Sequence, residues 1–424
     1  MEILTVAPGD TVFSIASRYG LNPEKIISDN GLDENGTLVV GQALVILFPE
    51  ETYLSDYFES VSSVANQTDT TPRTIFQNNY FLNGRNRLFP GEEIVIKYDS
   101  FPIFSGILGG YAYSVIPDEL IRSVISYLTY LMPFTYGFTP SGELLSPNDS
   151  ELINIAQTYG AKPLMHLSTL TESGVFSNEL AHTLFLNQEA INTLYENILE
   201  TVREKGYYGI DVDFEFLLPE DREAYVNFIY GLTQIMNENG FITVVALPPK
   251  TSDDQRGLLY EGVDYAGLGN AANYAFLMTY EWGYRYGEPQ AVAPINAVRR
   301  VVEYALTRIP NEKLLLGISN YGYDWALPFV RGETEALSIS TARALELAAQ
   351  YGAEIEFDPV AKSPYFYYTD SAGREHVVWF EDARSYLAKV ELMREFRLAG
   401  GFIWDLMRKN PQGFVTLNSL IDIE

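Results

Sequence analysis

Three carboxylates stand at strict alternation in one apolar stretch, Gly209-Ile210-Asp211-Val212-Asp213-Phe214-Glu215. Side chains on a β-strand change face at every residue, so Asp211, Asp213 and Glu215 share one face. Stacked carboxylates raise one another's pKa, which keeps one protonated near neutral pH as a general acid. The competing reading is a solvated or salt-bridged acidic edge. Strict alternation with Ile, Val and Phe speaks for a functional row, because charge buried without partners is costly.

Other chemistries find little support. The chain has no Cys, which excludes disulfides, thiolate metal sites and a cysteine nucleophile. His166, His182 and His376 are well separated and no HExxH motif occurs, which argues against a catalytic zinc. Neither a GxSxG elbow nor a Walker A motif is present. Gly267-Leu268-Gly269-Asn270-Ala271-Ala272 mimics a dinucleotide fingerprint, but it precedes an apolar run where the fingerprint must follow one. No metal or organic cofactor is implied.

The carboxylate row needs a scaffold, and the sequence from about residue 101 supplies one. Eight apolar runs appear: 107–113, 127–134, 163–167, 209–216, 242–247, 276–280, 314–318 and 401–404. Amphipathic helical patterns lie between them, as in Glu220 to Asn239. Near-continuously apolar strands alternating with helices imply a parallel sheet covered on its outer side. Eight units suggest an α/β fold of the (β/α)8 TIM barrel type, typically about 250 residues. The three carboxylates then line the lumen, with Glu215 nearest the carboxyl end of its strand, where barrel enzymes place catalysis. The barrel segment, 101–424, is about 70 residues longer than that. The surplus, about 328–398, reads as an α+β insertion between strands seven and eight, with short strands at 354–357, 366–369 and 376–380.

Upstream lies an internal repeat. Thr11-Val12-Phe13-Ser14-Ile15-Ala16 aligns with Ser60-Val61-Ser62-Ser63-Val64-Ala65, and Pro23, Ile26 and Asn30 meet Pro72, Ile75 and Asn79. Each copy, 1–49 and 50–99, reads as strand, helix, helix, strand. Asp10 is the expected N-cap of the first helix and Pro23 its counterpart opening the second.

Lys plus Arg number 28 against 56 Asp plus Glu, a net charge of −28. That balance argues against nucleic acid and against anionic lipid. Apolar residues make up 47%, enough for a sizeable core, and no run approaches the ~18 residues of a membrane span. The amino terminus, MEILTVAPGDT, shows no basic region followed by an apolar stretch, so no cleaved secretory signal is expected. Aromatics at 14% suit sugar stacking and a large core equally.

The repeat resembles two LysM modules, small βααβ units that bind N-acetylglucosamine-containing glycans. The first copy matches through PGDTVFSIASRYGL, NP and the Leu38, Gly41 and Gln42 pattern; the second is degenerate, lacking PGDT. The carboxylate row resembles the DxxDxDxE signature of family-18 glycoside hydrolases, with Tyr208 in place of the first, outermost Asp. Met278-Thr279-Tyr280-Glu281 resembles the family's MxYD, with Glu281 for Asp, and Gly400-Gly401-Phe402-Ile403-Trp404 its eighth strand.

This resemblance implies a retaining, substrate-assisted glycosidase, outside the two-carboxylate scheme. Glu215 would be the acid, Asp213 would hold the acetamide of the −1 sugar, and Asp211 would lie deeper and share a proton or hydrogen bond with Asp213. Tyr280 would donate to the acetamide oxygen and Trp404 would floor the sugar, while Tyr111, Met278 and Glu281 would add substrate contacts. The LysM pair, with AKSPYF at 361–366 and WFEDAR at 379–384, resembles spore cortex-lytic enzymes. The expected substrate is therefore peptidoglycan, handled by a monomer at the spore cortex or cell wall. A chitinase, or a glycan-binding barrel without activity, stands as the alternative.

Overall fold

All eight expected runs are strands of one closed parallel barrel. The computed structural model describes residues 1–424, and its barrel strands are Phe104–Tyr113, Tyr130–Phe134, Lys162–Ser168, Gly209–Asp213, Ile242–Leu247, Tyr274–Leu277, Leu314–Ser319 and Gly400–Trp404. Each pairs with the next in parallel register, and the eighth closes on the first from Gly400 opposite Ile107 to Ile403 opposite Gly110.

Alternation explains the two-sided core. Inward residues Ile107, Tyr111, Met132, Leu164, Val244, Phe276, Leu315 and Phe402 pack as one lumen cluster. Outward neighbours such as Leu108, Leu131, Met165, Ile210, Val212 and Leu316 join the larger core beneath the helices. Helix Arg222–Glu238, for example, buries Tyr225, Phe228, Ile229, Leu232 and Met236, the i, i+3, i+4, i+7 spacing of a single helix face.

Two strands end earlier than their apolar runs. The fourth stops at Asp213, where its last rung pairs with Ser168, and the chain turns through Phe216 at φ 55°. The sixth stops at Leu277. Glu215, Met278, Tyr280 and Glu281 therefore stand on the turns just past their strands.

The insertion is a five-stranded antiparallel sheet in the order Leu337–Ile339, Gly322–Ala326, Glu375–Trp379, Ser363–Thr369, Glu356–Asp358, with helix Thr341–Tyr351 packed on it. It differs from the expected 328–398 at both ends. The sheet begins at Gly322, and Ala383–Phe396 is a barrel helix whose Tyr386, Val390 and Met393 enter the main core.

Each N-terminal module holds its second helix to its closing strand through one buried Asn. Asn30 Nδ2 donates to the carbonyls of Ile26 and Val45, and its Oδ1 accepts from Val45 N. Asn79 repeats this with Ile75 and Val95. The first helix is capped by Thr11, not Asp10. Thr11 and Ser14 form a capping box, while Asp10 accepts from Ala7 N and pairs with Arg18 at 2.9 Å. The capping position belongs to the hydroxyl one residue closer to the helix.

Both modules are fastened to the barrel side. Ile355 N donates to Val40 O at 2.9 Å, Arg384 Nη2 to Gly41 O at 3.2 Å, and Gln412 Nε2 to Asn30 Oδ1 at 3.0 Å. In the second module Arg73 reaches the carbonyls of Ser126 and Leu128, and Tyr159 Oη donates to Gly84 O at 2.7 Å. No helix is long and apolar enough to cross a membrane.

Candidate active site

At the carboxyl ends of the barrel strands a cavity of about 440 Å³ opens between the strand turns. Its carboxylates are Asp213, Glu215 and Glu281, and its apolar wall is Tyr113, Phe134, Phe176, Phe216, Met278, Tyr280 and Trp404. A larger cleft, about 750 Å³, separates the two N-terminal modules. The barrel cavity is the one that joins carboxylates to a low-polarity wall, the condition under which acid chemistry can be tuned.

The three aligned carboxylates occupy three depths. Asp211 is fully buried beneath the cavity floor, where Oδ2 accepts from Tyr111 Oη at 2.8 Å. Burial raises its pKa to about 6; the His166 ring and the Tyr111 hydroxyl pull the other way, and the Asp213 charge adds to the rise. Asp213 stands above it and lines the cavity. Glu215 stands beyond the strand end in the apolar wall. Burial, then the charges of Asp213 and Glu281, push its pKa up to about 8. At neutral pH Glu215 therefore retains its proton, the state a general acid requires.

Glu281 is held by two tyrosines. Tyr321 Oη donates to Oε1, as does Tyr323 Oη at 3.1 Å. Burial raises the Glu281 pKa and these hydroxyls moderate the rise. Its backbone sits at φ 67°, a strained conformation for a residue other than Gly, which the surrounding contacts must hold in place. Tyr280 lies in the cavity wall with its phenol pKa far above the usual range, through burial and then the charges of Asp213 and Glu215. It is thus a hydrogen-bond donor throughout the physiological range. Trp404 is held edge-on by Phe134, Tyr111 and Tyr113, at ring-centre distances of 5.0, 5.4 and 6.2 Å.

Of the expected site residues, Asp213, Glu215, Tyr280, Glu281, Met278 and Trp404 meet in the cavity wall. Tyr111, read as a substrate contact, lies beneath it with 2% exposure and touches Asp211 instead. Tyr208 sits at the amino end of the fourth strand, under the Lys162 ammonium at 4.5 Å, remote from the cavity. His166 joins the site from outside the expected set. It is fully buried and stands directly opposite Asp211 in the strand register. The signal was its parity with Leu164 in the third run, which turns it into the lumen. Phe176 comes from a loop without periodicity, and Phe216 shares the outward parity of Val212 and Phe214 until the turn at its φ of 55° brings it to the cavity wall.

Comparison with known proteins adds the kinship. The model of the glycosyl hydrolases family 18 matches residues 136–408, and that of the LysM domain matches 4–47 and 59–97. A cortical fragment-lytic enzyme of Bacillus subtilis is 36% identical over 426 residues, spanning 100% of this chain and 99% of that protein. The crystal structure of the spore cortex-lytic enzyme SleL of Bacillus megaterium superposes with TM-score 0.84 at 36% identity, covering 100% of this chain and 98% of that one. SleL of Bacillus cereus gives 0.82 at 32%, covering 99% and 98%.

Proposed function

The chain belongs to the family-18 glycosyl hydrolases, and from that premise we propose that it hydrolyses the β-1,4 bond following N-acetylglucosamine in spore cortex peptidoglycan. The reaction retains configuration and uses the substrate's own acetamide as nucleophile. The observation that carries this reading is that Glu215, whose pKa burial pushes up to about 8, lines one apolar-walled cavity with Asp213 and Tyr280.

Glu215 protonates the glycosidic oxygen as the C–O bond breaks. The carbonyl oxygen of the 2-acetamido group attacks the anomeric carbon and forms a bicyclic oxazolinium ion. Asp213 accepts a hydrogen bond from the acetamide N–H and stabilises the positive charge that develops. Tyr280 donates its hydroxyl to the acetamide oxygen and directs it to the anomeric carbon. Trp404 forms the apolar floor under the pyranose. Glu215, now ionised, takes a proton from water, which opens the oxazolinium ring from the face the leaving group vacated. The absence of an enzyme nucleophile sets this apart from the scheme with two catalytic carboxylates.

The two LysM modules hold the polymer, and the spore cortex or cell wall is the place of action. Relatives named for lysis of cortex support that substrate over chitin. The test is a hydrolysis assay on cortex fragments and chito-oligosaccharides side by side. Release of reducing ends from cortex supports the reading, and activity confined to chito-oligosaccharides contradicts it.

A further inference from the structure

Beneath the cavity, His166 faces the carboxylate pair with a nitrogen that has no other partner. Its Nε2 is 3.7 Å from Asp211 Oδ2 and 3.7 Å from Asp213 Oδ2, and it makes no hydrogen bond elsewhere. The ring is fixed on its other sides. Nδ1 lies 2.6 Å from Thr135 Oγ1, the Phe134 ring stacks on it at 4.6 Å, and Tyr111 packs edge-on at 5.4 Å. Asp211 Oδ1 and Asp213 Oδ1 are also buried and unpartnered.

A lone pair on Nε2 would set three acceptors against one another, with the Tyr111 hydroxyl on Asp211 as the one donor among them. An N–H there makes the same arrangement attractive. The 3.7 Å separations are longer than a hydrogen bond, and catalytic contacts of this kind tighten in a Michaelis complex.

We propose that His166 is a positioning residue for the reaction: its Nε2–H is aimed into the gap between Asp211 and Asp213 and holds the two carboxylates in register as Asp213 engages the acetamide. The inference rests on the proposed role of Asp213 at the sugar. It assigns no new proton-transfer step; His166 acts through the carboxylates and touches no substrate.

The chain has three histidines, so ¹⁵N-histidine labelling of the whole protein gives a readable spectrum, with His166→Gln identifying the signal. A protonated Nε2 at neutral pH, shifted in Asp211→Asn and in Asp213→Asn, is the expected result. An unprotonated Nε2, or a signal indifferent to both substitutions, overturns the proposal. Kinetically, His166→Leu lowers kcat about 100-fold with KM little changed, the scale of a misplaced catalytic group. His166→Gln, whose amide can donate toward the pair, recovers most of the loss. Wild-type kcat in His166→Leu overturns the proposal while leaving the reaction scheme intact. Activity in Glu215→Gln contradicts the scheme itself, and the spectroscopic result still judges His166. Because the spectrum is recorded with His166 in place, poor folding of the Leu variant leaves the question decidable.

Discussion

The hydroxyl of Tyr111 donates a 2.8 Å hydrogen bond to Oδ2 of Asp211, reaching through the lumen from the first barrel strand to the fourth. It is the one hydrogen bond that the Asp211 side chain, wholly buried, receives. Tyr111→Phe removes it without opening space for water. A hydrogen bond to a charged group is worth about 1.5–3 kcal/mol, so kcat is expected to fall roughly tenfold to a hundredfold. Losing the donor disfavours the ionised carboxylate, so the acid limb of kcat/KM moves to higher pH. Steady-state kinetics across pH measure both, and an unchanged acid limb counts against a role for Asp211.

Glu281 contributes to the raised pKa of Glu215 through its negative charge. Glu281→Gln removes that charge and makes ionisation of Glu215 easier. The rate falls as pH rises through the pKa of the acid, so the basic limb, about 8 in the parent, moves to lower pH. A basic limb that stays in place, or moves upward, would show that another group sets it.

A carboxyl held at a raised pKa also costs stability. Between the ordinary carboxylate range and about 8, the unfolded chain has lost a proton that folded Glu215 retains, so this group's contribution to stability falls as pH rises. Glu215→Gln is therefore expected to raise Tm at pH 8, by about 2 °C or more, and to leave it nearly unchanged at pH 4. A destabilised variant at pH 8 would mean that Glu215 is paired in a way the cavity does not show.

The barrel was legible because its strands are near-continuous apolar runs separated by amphipathic helices, and the carboxylate row because period-two alternation is a local property of sequence. The repeat was legible for a similar reason: Asn30 and Asn79 fill one role, and the role fixes their spacing. What escaped depends on neighbours across strands. His166 meets Asp211 through parallel register, and the Tyr321 and Tyr323 hydroxyls, beyond the seventh barrel strand, meet Glu281, beyond the sixth. No spacing along the chain encodes either contact. The insertion boundary slipped because helix Ala383–Phe396 carries the same amphipathic pattern whether it covers the barrel or the added sheet. Residue type alone favours Asp10 as the cap, but Asp10 and Thr11 can both accept from backbone and only geometry chooses between them.

Docking of the first module turns on Gly41. It sits at φ 84°, and a Cβ there would lie 1.8 Å from the carbonyl oxygen of Ile355. Gly41→Ala must push the module off the insertion or strain both, at a cost of about 2–4 kcal/mol from left-handed backbone and overpacking together. Gly20, at φ 67° with nothing near its Cβ position, is the control, and Gly20→Ala should cost only about 1–2 kcal/mol. Denaturation midpoints and limited proteolysis of the two variants compare them. Equal losses would mean that the contact with Ile355 gives way freely.

The most direct test of the central claim is mass spectrometry of the products from defined cortex muropeptides, with the parent protein and Glu215→Gln run together. Fragments ending in reducing N-acetylglucosamine from the parent, and none from Glu215→Gln, are the result that follows from Glu215 as the acid. Fragments ending in reducing muramic residues, or equal turnover by both proteins, would contradict it.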